Sequence, residues 1–368
     1  REVARRCVVL LKNENQILPL DKKKLNTIGV IGPNADNRKA LVGNYEGTAS
    51  RYITVLEGIE DYVGEEVRVL YSEGCHLYKD RTSNLAMEHD RDSEVRAVCE
   101  ASDVIIAVVG LDATLEGEEG DTGNEYGSGD KPNLNLPGLQ PDIIRIAKES
   151  NKPVIVVLLA GSAMALSWED EHVDAILDGF YPGAQGGAAI AEILFGEANP
   201  EGRLPVTFYR TTEELPDFTD YAMKGRTYRY MENEALYPFG YGLSYTTYAY
   251  GNLECVKPFD AQDGITLQVT VTNTGDREGT ETLQVYVKAK REGTPNAQLK
   301  SVKKITLKPG ERVIEEIHLP AEAFMLYDKE GNLTLEKGAY DIFVGGCQPD
   351  TRSAALTGNP PQKLTVTY

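Results

Sequence analysis

VIIAVV (Val104–Val109), bounded by Asp103 and Gly110, is the stretch that decides the fold of the first part of this 368-residue chain. An apolar, mostly β-branched run of this length is typical of a strand buried on both faces. Strands of that kind belong to parallel sheets, which helices cover on both sides. The residues from Leu111 to Pro137 are too polar and glycine-rich to form core. They are therefore predicted to form a loop at the carboxyl end of the strand, where ligand and catalytic groups gather in such sheets.

Helical and strand-like segments alternate on both sides of this run. Further strands are predicted at Thr27–Gly32, Val67–Tyr71, Val154–Ala160 and Ala175–Gly179. Helices are predicted at Val3–Lys12, Val95–Ala101, Pro141–Ser150 and Gly186–Phe195. The alternation predicts an α/β sandwich, a largely parallel sheet between helices.

After residue 250 the apolar residues alternate with a period of two. Strands are predicted at Ile265–Val271, Thr282–Ala289, Val302–Leu307, Val313–Leu319 and Gly338–Val344. Short alternating strands at this spacing are typical of an all-β, immunoglobulin-like sandwich. The sequence therefore predicts two domains, residues 1–250 and 251–368.

Composition limits the classes of partner. The formal charge of -19 argues against nucleic acid and against an anionic membrane, and favours a neutral substrate. No apolar run is long enough for a membrane span. The five cysteines are widely spaced, and no CxxC pair suggests a metal or redox site. We expect a cytoplasmic protein without cofactor or metal.

The loop after Val104–Val109 carries a dense group of carboxylates. Glu116, Glu118, Glu119 and Asp121 lie within six residues. Because like charges a few ångströms apart oppose ionisation, one of them can stay protonated near neutral pH and act as a general acid. The same composition is also typical of a solvated acidic loop. A calcium loop is disfavoured, since its regular Asp/Asn spacing is missing.

Other motifs have simpler interpretations. The turn Gly183–Gly187 before a helix could bind phosphate, but the P-loop Lys-Ser/Thr and the GxGxxG pattern are both missing. A close strand-to-helix turn is enough to explain these glycines. The four histidines show no ligand spacing, so no role is assigned to His76, His89, His172 and His318.

An ordered set of motifs resembles glycoside hydrolase family 3, the retaining exo-β-glycosidases, over essentially the whole chain. Residues from Asn252 resemble the fibronectin type III-like domain of that family. The motifs that carry the resemblance are RRCVVLLKNE (5–14), ILPL (17–20), IGPNAD (31–36), GNYEG (43–47), YPGAQGG (181–187), NPEGRLP (199–205) and YPFGYGLSYT (237–246).

The resemblance implies roles for both domains. In this family the sandwich domain supplies the general acid/base, commonly the second Glu of a Glu-x-Glu pattern, which points to Glu118, with Glu116 second and Glu119 third. Lys131 stands where the family usually has Arg. The nucleophilic Asp of the family lies on a TIM-barrel domain, and this chain shows no eightfold βα repeat. We therefore expect a fragment, a cleaved chain, a subunit of a split enzyme or a rearranged protein, with a barrel domain or chain as partner.

The resemblance also implies the substrate class. GNYEG (43–47) and GRTYRY (225–230) resemble the β-xylosidase branch more than the β-glucosidase branch. Terminal β-linked xylose, or glucose, of an oligosaccharide is the expected substrate; the substrate-binding residues are not assigned, and formation of a homo-oligomer is left open. The alternative is a non-catalytic carbohydrate-binding or assembly module that shares the fold. The C-terminal sandwich is expected to stabilise and position, without chemistry.

Overall fold

The structure, a computed structural model, describes residues 1–81, 83–115 and 131–368. Contacts divide the chain into two compact units. The first comprises Arg1–Gly202 and Tyr209–Glu214, and the second comprises Arg203–Phe208 and Leu215–Tyr368. The domain boundary predicted at residue 250 stays a prediction.

A six-stranded sheet forms the centre of the first unit. Its strands lie in the order β1-β6-β5-β4-β2-β3. All neighbours are parallel except β1, which pairs antiparallel with β6 at one edge. The strands are β1 (Val9–Asn13), β2 (Thr27–Ile31), β3 (Arg68–Ser72), β4 (Val104–Gly110), β5 (Val154–Leu159) and β6 (Ala175–Asp178).

Helices cover this sheet. In one group α3 packs against α4, and in the other α1 and α2 both pack against α6. The central strands β4 and β5 are buried at every residue, as their unbroken apolar sequences predict. The predicted α/β sandwich is confirmed. The helices are α1 (Glu2–Cys7), α2 (Val55–Val63), α3 (Asp92–Glu100), α4 (Gln140–Glu149), α5 (Ser167–His172) and α6 (Gly186–Leu194).

The predicted helix Val3–Lys12 is wrong in its second half. The helix ends at Cys7, and Val9–Asn13 continues as the edge strand β1. Val8, Val9, Leu10 and Leu11 are all at most 1% exposed. Four successive buried apolar side chains suit a strand covered on both faces, whereas a surface helix buries only one stripe.

The second unit is built from antiparallel sheets. A four-stranded sheet has the order β10-β9-β14-β15, a three-stranded sheet the order β11-β8-β7, and β12 pairs with β13. Two short helices, α7 (Thr227–Tyr230) and α8 (Thr351–Thr357), accompany them. The strands are β7 (Tyr248–Asp260), β8 (Gly264–Asn273), β9 (Gly279–Ala289), β10 (Gln298–Leu307), β11 (Arg312–Leu319), β12 (Leu326–Tyr327), β13 (Leu333–Thr334), β14 (Ala339–Gly345) and β15 (Gln362–Thr367).

Alternating residues of these strands form one core. Every second residue of β8 from Ile265 to Val271 is fully buried, and β9 contributes Leu283, Val285 and Val287 to the same cluster. The other residues of each strand point to the opposite face of their sheet. The predicted immunoglobulin-like sandwich is confirmed. Among the described residues, no helix has the length and apolar character that crossing a membrane requires.

Candidate functional site

Three loops meet at one edge of the first unit's sheet. Strands β4, β2 and β3 are neighbours and parallel, so the loops that follow them start side by side. A cavity of about 540 Å³ lies there, open to solvent. The residues lining it are Pro33, Asp36, Asn37, Lys39, Tyr71, Glu73, His76, Leu77, Tyr78, Asp112 and Thr114.

Two glycines turn the chain where β2 and β4 end. Gly32 has φ of 114° and Gly110 has φ of 132°, values that residues with a Cβ rarely adopt. A Cβ at Gly32 would collide with the carbonyl of Val108, and a Cβ at Gly110 with the carbonyl of Leu159. Both turns therefore need glycine to bring the loops to the cavity.

Two fully buried polar side chains hold the start of the loop after β4. Asn34 donates from Nδ2 to the carbonyl of Leu111 over 3.0 Å. Gln140, at the start of α4, accepts from the amide of Gly110 (2.7 Å) and donates to the carbonyls of Gly110 (2.9 Å) and Leu77 (2.6 Å). Neither side chain is exposed, so water does not compete for these four hydrogen bonds. The position of the chain at Gly110 and Leu111 is thus fixed from two sides.

Asp112 organises the next residues and faces the cavity. It is 3% exposed, and its Oδ1 accepts from the amide (2.9 Å) and the hydroxyl (2.5 Å) of Thr114. Its Oδ2 accepts from Nδ2 of Asn37 over 3.1 Å. The carboxylate therefore joins the loop after β2 to the loop after β4. The sequence analysis gave neither Asp112 nor Asn37 a role.

The lining of the cavity also includes a phenol, Tyr71, that is influenced by nearby acids. Burial, together with the negative charges of Glu73 and Asp36, raises the pKa of Tyr71 to about 12, although the positive charge of Arg91 opposes the shift. Asp36 accepts from the hydroxyl of Thr54, the N-cap of α2, over 2.9 Å. Glu73 accepts from Arg91 over 2.6 Å. Tyr71 thus keeps its proton near neutral pH and remains a hydrogen-bond donor.

His76 lines the same cavity, although the sequence analysis assigned it no role. Its Nδ1 accepts from the amides of Tyr78 (3.2 Å) and Lys79 (3.1 Å), so the proton of the neutral ring is on Nε2. The ring meets the edge of Tyr78 at 4.8 Å between centroids. The only signal in the sequence is its place shortly after a strand.

A buried carboxyl also lies at the end of β6, outside this cavity. Asp178 is 1% exposed; its Oδ1 accepts from the amide of Phe180 over 3.0 Å, and its Oδ2 has no partner among the described residues. Burial raises the pKa of Asp178 to about 8. This side chain is therefore protonated at neutral pH.

The cavity is suited to a neutral, hydroxyl-rich ligand. It offers carboxylates, an amide, an imidazole and phenols, which together donate and accept hydrogen bonds. Its acids Asp36, Glu73 and Asp112 outnumber Lys39, which disfavours an anion. Among the described residues, no three His, Cys, Asp or Glu side chains are close enough to hold a metal ion.

The predicted catalytic residues come shortly after the cavity residues Asp112 and Thr114 in the sequence. Glu116, Glu118 and Glu119 lie outside the described residues, as does Asp121. The chain leads towards them from Thr114, which lines the cavity, and Leu115, which is buried. Lys131 is the first described residue after this segment, and it donates from Nζ to the carbonyl of Asn133 over 2.5 Å.

The glycine turn at residues 183–187 has a structural explanation. The amide of Gly183 donates to the carbonyl of Leu41 (2.7 Å), and that of Gly187 to the carbonyl of Ile53 (3.0 Å). A Cβ at Gly187 would collide with the backbone of Thr54, and one at Gly58 with that of Gly187. Gly58 and Gly187 thus let α2 and α6 approach closely, which gives this turn a structural role.

Comparison with known proteins agrees with this architecture. Residues 8–245 match the glycosyl hydrolase family 3 C-terminal domain. Residues 281–348 match a fibronectin type III-like domain. The chain belongs to glycosyl hydrolase family 3.

Several similar proteins are named as glycosidases. The chain is 37% identical to the periplasmic β-glucosidase of Salmonella typhimurium, over 94% of this chain and 48% of that protein. It is 32% identical to a β-xylosidase of Formosa agariphila, over 97% of this chain and 49% of that protein. A solved β-glucosidase from Erythrobacter marinus superposes with a TM-score of 0.83 at 30% identity, over 99% of this chain and 49% of that one. The chain spans about half the length of the curated relatives it matches.

Proposed function

We propose that the whole protein is a retaining, exo-acting β-glycosidase, and that this chain supplies its general acid/base. The observation that carries the proposal is family membership over residues 8–245. Its relatives are named as β-glucosidases and β-xylosidases. Terminal β-linked xylose, or glucose, is the proposed sugar, and the lining of the cavity suits its neutral hydroxyl groups.

The proposed mechanism divides two carboxyl groups between two domains. A retaining glycosidase needs a nucleophile and an acid/base whose carboxyl groups lie about 5 Å apart. The resemblance puts the nucleophilic Asp on a TIM-barrel domain, which we propose as the partner of this chain. The Asp carboxylate of the barrel attacks the anomeric carbon, while the acid/base carboxyl group of this chain protonates the leaving oxygen. The same carboxylate then activates the water that hydrolyses the covalent intermediate.

Glu118 is the proposed acid/base, with Glu116 as second choice. The segment that carries both follows Asp112 and Thr114, which line the cavity, and this supports the assignment. Asn34, Gln140 and Asn37 fix that starting point by buried or part-buried hydrogen bonds. A loop whose first residues are held by hydrogen bonds favours precise placement of a proton donor.

Activity in the presence and absence of a barrel tests the proposal. The 368-residue chain alone should not cleave aryl β-xyloside or aryl β-glucoside, because the nucleophile is on the partner. Adding a family 3 barrel chain, or testing the longer protein, should restore cleavage with retention of configuration, followed by NMR of the first-formed sugar. Turnover by the purified chain alone, or an inverted product, would contradict the proposal.

A further inference from the structure

The second unit contains a cavity of its own. It measures about 480 Å³ and lies on the outer face of the four-stranded sheet. Ile342 and Val344 of β14 point into the sandwich core, so Phe343 between them points outwards and lines the cavity. The segment Tyr228–Ala235 and the loop around Gln348 form the other walls. This volume is within the range of small-ligand sites, about 300–1,000 Å³.

Three polar groups of the lining have no bonding partner among the described residues. Thr207 is 8% exposed, and its Oγ1 makes no hydrogen bond there. The Oε1 of Gln348 is also buried without a partner. Lys288, half-buried on β9, makes neither an ion pair nor a hydrogen bond within the described part of the chain. An unpaired buried polar atom is costly, so a ligand that bonds to these groups after small side-chain rotations gains affinity.

Asp341 and Asp350, two of the four acids that line the cavity, bond to other residues of the protein. Asp341 accepts from Lys363 (2.8 Å) and from the hydroxyl of Thr365 (2.7 Å). Asp350 caps α8 by accepting from the amide of Ser353 over 2.9 Å. With Glu232 and Glu234 also in the lining against the single cation Lys288, the cavity disfavours phosphate and other anions.

Aromatic side chains give the cavity a rigid apolar part. Tyr228 stacks on Phe239 with ring centroids 4.1 Å apart, and its hydroxyl accepts from the amide of Leu299 over 3.3 Å. Phe343 adds a second ring. Sugars present hydroxyls that both donate and accept, together with apolar C–H faces that pack on aromatic rings. We propose that this cavity is a second carbohydrate site, which binds a neutral oligosaccharide through Thr207, Gln348, Lys288 and Phe343.

The proposal is tested by calorimetric titration of the 368-residue chain with xylotetraose and with cellotetraose. Thr207→Val should weaken binding of the preferred sugar about three- to tenfold, the usual effect of one neutral hydrogen bond. Phe343→Ala should weaken it further. Tyr327→Ala, an exposed aromatic residue outside the cavity, is the matched control and should leave affinity unchanged.

A stability measurement separates a ligand contact from a structural one. Thr207→Val removes an unpartnered hydroxyl and should leave the urea midpoint unchanged or higher. Thr246→Val removes a hydroxyl that donates to Asn273 over 2.7 Å in a buried setting, and should lower the midpoint. A lower midpoint for Thr207→Val, with no change in sugar affinity, would overturn the proposal.

Three further results would also overturn it. The first is that neither sugar binds. The second is binding that is lost only in Asp112→Ala, which would assign the sugar to the cavity of the first unit. The third is binding of a Lys-rich peptide instead, weakened by Thr207→Val. Because the readout is binding, the outcome does not depend on the proposed glycosidase activity.

Discussion

Nδ2 of Asn37 lies 3.1 Å from Oδ2 of Asp112, and this hydrogen bond joins the loops that follow β2 and β4. Asp112 bonds to Thr114 with its other oxygen. One buried carboxylate thus holds two loops of the candidate site together. Removal of this carboxylate should lower the free energy of unfolding and change the placement of the residues that follow Asp112.

Asp112→Ala should lower the free energy of unfolding by about 2–3 kcal/mol, because Thr114 and Asn37 lose a charged acceptor in a buried setting. Urea unfolding of the 368-residue chain measures this. Glu65→Ala, an exposed acid with no partner among the described residues of the same unit, is the control and should change stability by less than about 0.5 kcal/mol. An equal effect of both substitutions would contradict the role of Asp112.

Gln140→Leu should destabilise the first unit by about 2–4 kcal/mol. The substitution keeps side-chain volume but leaves the amide and carbonyl of Gly110 and the carbonyl of Leu77 without their partner. Hydrogen exchange at Gly110 reports the local effect directly. Gln298→Leu, on a half-buried residue of the second unit, serves as the comparison and should leave that exchange unchanged.

The ionisation of Asp178 should lower the free energy of unfolding as pH rises. Its folded pKa of about 8 lies above the unfolded value, so its favourable contribution is full below about pH 4 and is lost as pH approaches 8. The loss is at most about 1.4 kcal/mol for each pH unit in that window. Asp178→Asn should flatten this slope in urea unfolding at pH 5 and pH 8, whereas Glu65→Gln should not. A wild-type slope retained in Asp178→Asn would show that other groups cause it.

Glu118→Gln in the active, barrel-containing enzyme should reduce turnover severely on substrates with poor leaving groups. Activated phenols need no protonation, so they should be cleaved with a much smaller loss. Azide should partly restore cleavage by attacking the glycosyl intermediate. If Glu116→Gln shows this pattern and Glu118→Gln does not, the assignment moves to Glu116.

The sequence predicted five strands of the six-stranded sheet but not the edge strand β1. Uniform apolar runs such as Val154–Leu159 have one good interpretation, a strand buried on both faces. Val8–Leu11 is equally apolar, yet it follows a helix directly and was predicted as part of it. Its pairing with β6 is a contact over more than 160 residues, which local periodicity does not contain.

The sequence did not predict the residues that line the cavity, and the acid/base assigned to Glu118 stays a prediction. Asn37, His76 and Asp112 come from three loops that are distant in sequence. Their meeting depends on β2 lying between β4 and β3, an order that the sequence pattern does not give. Similarly, nothing in the sequence marks the hydroxyl of Thr207 as unpartnered, because that follows from the surrounding packing.

Gly32 and Gly110 have a consequence for laboratory evolution of this fold. Each stands where a loop of the cavity leaves its strand, with a positive φ and a neighbouring carbonyl in the place of a Cβ. A library that randomises these two codons would return glycine among stable clones, whatever substrate is selected. Diversity is better placed at Lys39 and Tyr71, exposed side chains of the cavity lining, where substitutions can change the ligand that the cavity accepts and disturb the fold least.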